Sequence, residues 1–325
     1  GAVARPLPPP FPGLEPQPFY RQARSKVRFA MCEAGISGEN LSNVTIRGRG
    51  IIDGGRILPA GRRGMLLHID GCRNLNISGI TMLNSPFWNL HLQRCRDVLI
   101  EQVQMISPYP NSDAFCFDGC QNGVLRNCFA QNNDDCFEVK SFNKDDLTSN
   151  IVFEDSSCYT ATGAPIGMTG ETAGTIENIV WRRINVIRHR TGLSEDPFKN
   201  RRAVIFLRTR YGGKSRNLLV RDITVEAEAR ARAVVVDNVI YRGPTAKMLF
   251  KTPYDDPQEP SHIGNIFVEN VVMNNVSDER ISLINDKGSI KSVFFEDFVI
   301  NGRELVPEDD RIYCKDTAEP TVEGH

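Results

Sequence analysis

No apolar run in this chain approaches the roughly 20 residues needed to span a bilayer. No stretch carries the apolar stripe of an amphipathic helix. Histidine is scarce, and His68, His91, His189, His262 and His325 are scattered. The nine cysteines form no CxxC pair and no Cys/His group, so zinc has no ligand set and no metal site is expected. Nine is odd, so at least one cysteine is unpaired unless it bonds to another chain. Net charge is only −1, from 39 basic and 40 acidic residues. That removes the global case for nucleic acid or an anionic membrane as partner. No signal peptide is visible, and the chain opens at Gly1 in a Pro-rich segment, as it would after a leader had been removed.

What the sequence has instead is a repeat. Residues 1–34, with Pro6, Pro8, Pro9, Pro10 and Pro12, read as an extended arm. From about residue 35, short strand-like runs recur, most opened by Asn or Asp and then a β-branched residue or Leu. Examples are Asn43-Val-Thr-Ile46, Asn74-Leu-Asn-Ile77, Asp97-Val-Leu-Ile100, Asn150-Ile-Val-Phe153 and Asn178-Ile-Val-Trp181. Nine such units are mostly 23 to 31 residues apart, and two longer gaps hold inserts around 190–203 and 240–260. Apolar and polar residues alternate within each unit, the period of a strand with one buried face. Many short strands at a coil-length period predict an all-β parallel β-helix, a solenoid of stacked turns, over residues 35–305. Residues 306–325 then form a C-terminal tail. Cys72, Cys95 and Cys120 each stand two residues before a unit's Asn or Asp. Stacking aligns them as a column of buried thiols, with disulfides between some of them left open.

The same period gives three aspartates a meaning. Asp134 and Asp135 lie 21 and 22 residues after Asp113. In a coil of that length, all three carboxylates fall on neighbouring turns. Crowded carboxylates raise at least one pKa, leaving a protonated acid beside ionised bases. Glycoside hydrolysis needs that pairing. With about 6.5–9.5 Å between acid and base, a water fits and the anomeric centre inverts.

In these motifs the sequence resembles the polygalacturonases and their relatives, glycoside hydrolase family 28, which are right-handed parallel β-helices of the pectin-lyase-like kind. The likeness begins with the run from Ile36 to Gly54 and continues through Asn84-Ser-Pro-Phe-Trp-Asn-Leu-His91. It is strongest at Asn111-Ser-Asp113, which matches the family's Asn-Thr-Asp, and at Asp134-Asp-Cys136 with Lys140-Ser141. It covers most of residues 36–300. The resemblance implies that Asp134 is the general acid and that Asp113 and Asp135 position and deprotonate the water. The substrate-binding set it suggests, read together with strand parity, is Asn111, Glu138, Lys140, Phe206, Arg208, Arg210 and Tyr211. No cofactor is implied, and the partner is a polysaccharide or oligosaccharide.

The chain departs from the family pattern in four places. The family's His-Gly pair has as its nearest match Thr162-Gly163. Its Arg-Ile-Lys strand, which holds the substrate carboxylate, becomes Phe206-Leu-Arg208. The second Asp of the Asn-Thr-Asp segment is Cys116, and Glu138 stands where a small or apolar residue is usual. Arginine suits a carboxylate through bidentate pairing, so Arg208 and Arg210 are the candidate cations for a uronic sugar. Phe206 shares their strand parity and offers a ring for stacking.

The leading reading is therefore an inverting hydrolase of a pectin-type polymer, galacturonan or rhamnogalacturonan. A neutral glucan such as dextran is the alternative within that class. Outside it stand a Ca²⁺-dependent polysaccharide lyase and a non-catalytic carbohydrate-binding β-helix. A polymeric cell-wall substrate points to a secreted or periplasmic protein. The inserts near 190–203 and 240–260 would wall one end of the cleft and favour exo action. Trp88 is expected to serve packing, and His91 and His189 to be ordinary surface or core histidines.

Overall fold

In a computed structural model, residues 3–4, 32–55, 63–169, 171–189, 203–226, 229–238 and 259–324 are described. All regular structure among them is β, in 26 strands. Nearly every pairing is parallel, and the chain forms a right-handed parallel β-helix. One sheet bears the candidate functional residues. It stacks Cys32–Glu39, Arg63–Asp70, Leu90–Gln93, Phe115–Asp118, Phe137–Lys140, Ile166–Thr169, Ala203–Arg208, Ala229–Asp237, Val276–Ile284 and Ile312–Lys315.

The recurring Asn has a backbone reason. Asn43, Asn74, Asp97, Asn122, Asn150, Asn178, Asn217 and Asn265 all have φ between 52° and 59°. This is the left-handed corner between two strands of a coil. Asn and Asp tolerate that region better than other residues with a Cβ. Their side chains then join along the helix axis. Asn150 donates to Asn122 at 3.1 Å, Asn178 to Asn150 at 3.2 Å and Asn217 to Asn178 at 2.9 Å. Each corner thus satisfies the next, and the repeat in the sequence is the imprint of this ladder.

Inside the coils, apolar side chains stack in columns. Phe115 lies over Phe137 with centroids 5.9 Å apart, and Phe153 lies over Trp181 at 5.8 Å. The buried Trp181 indole donates to the Phe137 carbonyl at 3.0 Å, as a buried N–H must find an acceptor. Cys72, Cys95 and Cys120 form the expected buried column, and each thiol donates to main-chain carbonyls. Cys72, Cys95, Cys116, Cys120, Cys128, Cys136, Cys158 and Cys314 are free, so the open question of disulfides is decided against them within that set.

The stretch after Val306 adds strands of its own. Ile312–Lys315 pairs with the strand Val276–Ile284, and Thr321–Glu323 with Gly288–Ile300. A buried Arg311–Asp309 ion pair immediately precedes the first of these strands. At the other end Val3–Ala4 pairs with Ile51–Ile52. The inserts at 190–203 and 240–260 fall almost wholly outside the described residues, as does the remainder of the Pro-rich arm.

Candidate active site

On the principal sheet, alternation sends Leu90, Leu92, Phe115, Phe117, Phe137 and Val139 into the core. The residues between them point outward and stack in two columns. One runs His91, Cys116, Glu138, Gly167, Phe206; the other contains Gln93, Asp118 and Lys140, then Thr169, Arg208 and Asp237. The aspartates come from the loops that lead into these strands. The Ala114 amide donates to the Asp135 carbonyl at 2.7 Å, which puts Asp113 and Asp135 on adjacent coils in register.

Asn132 anchors both loops. Its buried amide lies 2.9 Å from the Ser112 carbonyl, 2.7 Å from that of Asp134 and 2.8 Å from that of Asp135. The Thr160 hydroxyl also donates to the Asp134 carbonyl, at 2.6 Å. Gly163 packs flat on the same peptide. A Cβ there would lie 2.0 Å from the Asp134 carbonyl carbon and 2.1 Å from the Asp135 nitrogen. The glycine of the Thr162-Gly163 match is therefore required by close backbone approach. The Thr162 hydroxyl donates to the Asn133 carbonyl.

The carboxylates converge. Oxygens of Asp113, Asp135 and Glu138 all lie within 4.8 Å of one another. Asp113 is 3% exposed, Glu138 is fully buried, and Asp134 is half-buried. Lys140, 2% exposed, holds the cluster together. Its Nζ is 3.0 Å from Asp113 Oδ2, 3.2 Å from Glu138 Oε1 and 3.7 Å from Glu171 Oε2, and it stands 3.9 Å above the Trp88 ring. The Ala164 amide donates to Asp135 Oδ1 at 2.7 Å, and the Thr169 hydroxyl to Glu138 Oε2 at 3.0 Å.

Burial, and then the charge of Asp113, push Asp135 up to about 6. Burial also pushes Glu138 well above the ordinary carboxyl range. Lys140 is pulled down by burial, but Glu138, Glu171 and Asp113 together outweigh that and hold it firmly charged. Three oxygen ligands in reach of one another would suit a divalent cation. In this chain the Lys140 ammonium already stands on two of them.

The other expected residues divide into three groups. Phe206 and Arg208 do share a face, with the guanidinium 4.3 Å from the ring centroid. Arg208 does not stand ready for a substrate carboxylate, however. It forms a bidentate pair with buried Asp237, Nη2 to Oδ2 at 2.5 Å. Arg210 is pulled down to about 10 by burial and by the charge of Arg208, and Tyr211 beside it is buried with φ 58°. Asn111 is exposed and supplies a left-handed turn at φ 57° before Asp113.

Several participants had no clear signal in the sequence. Trp88 packs as expected, but as the ring under Lys140. His91 is fully buried. Its Nδ1 is 3.2 Å from His68 Nδ1, and its Nε2 is 3.4 Å from Asp118 Oδ2. The separation of 23 residues between the two histidines is one coil, which was the available clue. Glu171, Asp237 and Asn132 carried none.

Glycosyl hydrolases family 28, as a sequence family, matches residues 22–194, just over half of the chain. The chain belongs to this family. Among curated relatives, a probable polygalacturonase from Vitis vinifera is 29% identical over 202 residues, covering 56% of this chain and 41% of that protein. The chain thus spans about two fifths of that relative's length. Among solved structures, the polygalacturonase from Erwinia carotovora superposes with a TM-score of 0.59 at 13% identity, over 90% of this chain and 73% of the other. The endo-xylogalacturonan hydrolase from Aspergillus tubingensis gives 0.57 at 17% identity, over 89% and 75%. At such identities the superpositions establish the shared β-helix. The match through residue 194 includes Asp113, Asp134, Asp135 and Lys140, while Arg208 and Asp237 lie beyond it.

Proposed function

We propose that the chain is an inverting glycoside hydrolase of pectin-type polysaccharide. The observation that carries this is the convergence of Asp113 and Asp135 on adjacent coils, within a chain of glycosyl hydrolases family 28. Asp134, half-buried and next in sequence, protonates the leaving glycosidic oxygen. Asp113 and Asp135 position and deprotonate the attacking water. The bond from the anomeric carbon to the leaving oxygen breaks as the bond to the water oxygen forms on the opposite face. Asn111, Phe206, Arg210 and Tyr211 are the candidate substrate contacts in this reading. The polygalacturonase names of the curated relatives support a uronic polymer as substrate, and a polysaccharide substrate in turn favours a secreted or periplasmic site of action.

A neutral or weakly charged sugar is the second reading, favoured by one observation: the Arg208 guanidinium is engaged by Asp237, and Lys140 by three acids. A Ca²⁺-dependent lyase would require the metal to displace the Lys140 ammonium from Asp113 and Glu138. The test is a reducing-end assay on polygalacturonate, rhamnogalacturonan and dextran, with and without chelator, for the wild type and Asp134→Asn. Cleavage of a uronic polymer that withstands chelator, and that falls by about 10²–10⁴-fold in Asp134→Asn, is the expected result. Cleavage of dextran alone selects the neutral substrate. An unsaturated product that disappears with chelator selects the lyase. Silence on all three polymers from the wild type supports a non-catalytic, carbohydrate-binding role.

A further inference from the structure

The cluster contains one carboxyl more than the hydrolytic step needs. Glu138 projects outward from the strand Phe137–Lys140, between its register partners Cys116 and Gly167. It is fully buried and lies within 4.8 Å of both Asp113 and Asp135. Its Oε2 accepts from Thr169, and its carboxyl stands beside that of Asp113 with Lys140 Nζ 3.0 Å from Asp113 Oδ2 and 3.2 Å from Glu138 Oε1. Its Oε1 is 3.2 Å from Lys140 Nζ yet makes no hydrogen bond there. The titratable groups facing it are Asp113, Asp135, Lys140 and the buried thiol of Cys116, with Glu171 behind Lys140. Fully ionised, the three clustered carboxylates would share one ammonium at a place largely shielded from solvent. Buried carboxyl groups this close repel one another when ionised, so the set is relieved when one of them keeps its proton and offers it to a neighbour.

We propose that Glu138 is a positioning residue that remains a neutral carboxylic acid and donates its proton to Asp113, while Lys140 donates to the same carboxylate. Held from two sides, Asp113 stays ionised and orients the water. Asp135 is then the group that takes the water's proton. In that step the water O–H bond breaks, its proton goes to Asp135, and Asp134 gives its own to the leaving oxygen. Glu138 gains and loses nothing. This rests on the hydrolase reading for its role in turnover, but its protonation state can be measured without turnover.

The test compares wild type, Glu138→Gln and Glu138→Ala in the full chain, by denaturant unfolding from pH 5 to pH 8 and by pH–rate profiles. A neutral folded-state Glu138 releases its proton only on unfolding. The folding constant of Glu138→Gln, relative to wild type, then grows about tenfold per pH unit across that range. A ratio that is flat with pH means an ionised Glu138 and overturns the proposal. In turnover, Glu138→Ala loses at least tenfold in kcat and shifts the acid limb of the profile, and Glu138→Gln rescues most of the loss. A Gln variant as impaired as the Ala variant would overturn the donor role. If the wild type proves inactive on every substrate, the hydrolase reading fails, and the unfolding ratio still decides the state of Glu138.

Discussion

Lys140 Nζ lies 3.0 Å from Asp113 Oδ2, and both side chains are almost wholly shielded from water. A buried pair of this kind adds little net stability, but breaking it leaves an uncompensated charge inside the protein. Lys140→Met strands Asp113 beside two other carboxyls. The expected cost is about 3–5 kcal/mol in urea unfolding at pH 7, with loss of any hydrolytic activity. Unfolding midpoints within error of wild type would show that the ammonium does not hold the cluster.

Asp135→Asn should separate stability from activity. The folded-state pKa of Asp135 is raised to about 6 from an ordinary 3.8, chiefly by burial. Between those values the folded state binds more protons than the unfolded state, so this group's contribution falls as pH rises from about 4 to about 6. The amide carries no such penalty. Asp135→Asn is expected to gain up to about 3 kcal/mol above pH 6 while losing about 10²–10⁴-fold in rate. Differential scanning calorimetry at pH 4 and pH 7, beside the activity assay, checks both.

His68 and His91 act in the opposite sense. Burial, then the mutual charge of the pair for His68 and the charge of Lys140 for His91, lowers both to about 3. Their unfolded value is near 6.5, so their contribution is complete above that pH and is lost as pH falls toward 3. Stability is expected to fall with acidification over this window, and the double variant His68→Gln/His91→Gln to show a flatter acid limb. Imidazole proton resonances that titrate near pH 6.5 in the folded protein would contradict the burial argument.

Gly163→Ala tests the seat of the aspartate pair. The added methyl has no room against the Asp134–Asp135 peptide. Overpacking there is expected to cost about 1–3 kcal/mol and to shift both carboxyls. Circular dichroism melting and a rate assay read the two effects separately.

Asp237→Asn addresses the substrate. Removing the carboxylate that engages Arg208 frees a guanidinium on the candidate cleft face, near Phe206. For a uronic polymer, KM is expected to fall about tenfold, the worth of one charged hydrogen bond. For a neutral glucan it stays unchanged. Arg208→Ala, by contrast, removes the bidentate partner of buried Asp237 and is expected to cost about 3–5 kcal/mol.

The β-helix was legible in the sequence because its causes are local. Alternation reports one buried face, and Asn at a fixed place in each unit reports a left-handed corner; both depend on a few consecutive residues. Once the coil length was known, Asp113, Asp134 and Asp135 followed as neighbours, since a parallel stack converts separation in sequence into adjacency along the axis. The pairing of Arg208 with Asp237, the seating of Lys140 over Trp88 and the placing of Glu138 beside Asp113 and Asp135 were decided only by the tertiary structure. The period names the coils that meet but not which neighbour a long side chain reaches. How far loops from adjacent turns close over it, and so whether its charge meets water, a substrate or another charge of the chain, depends on packing that no single repeat unit contains.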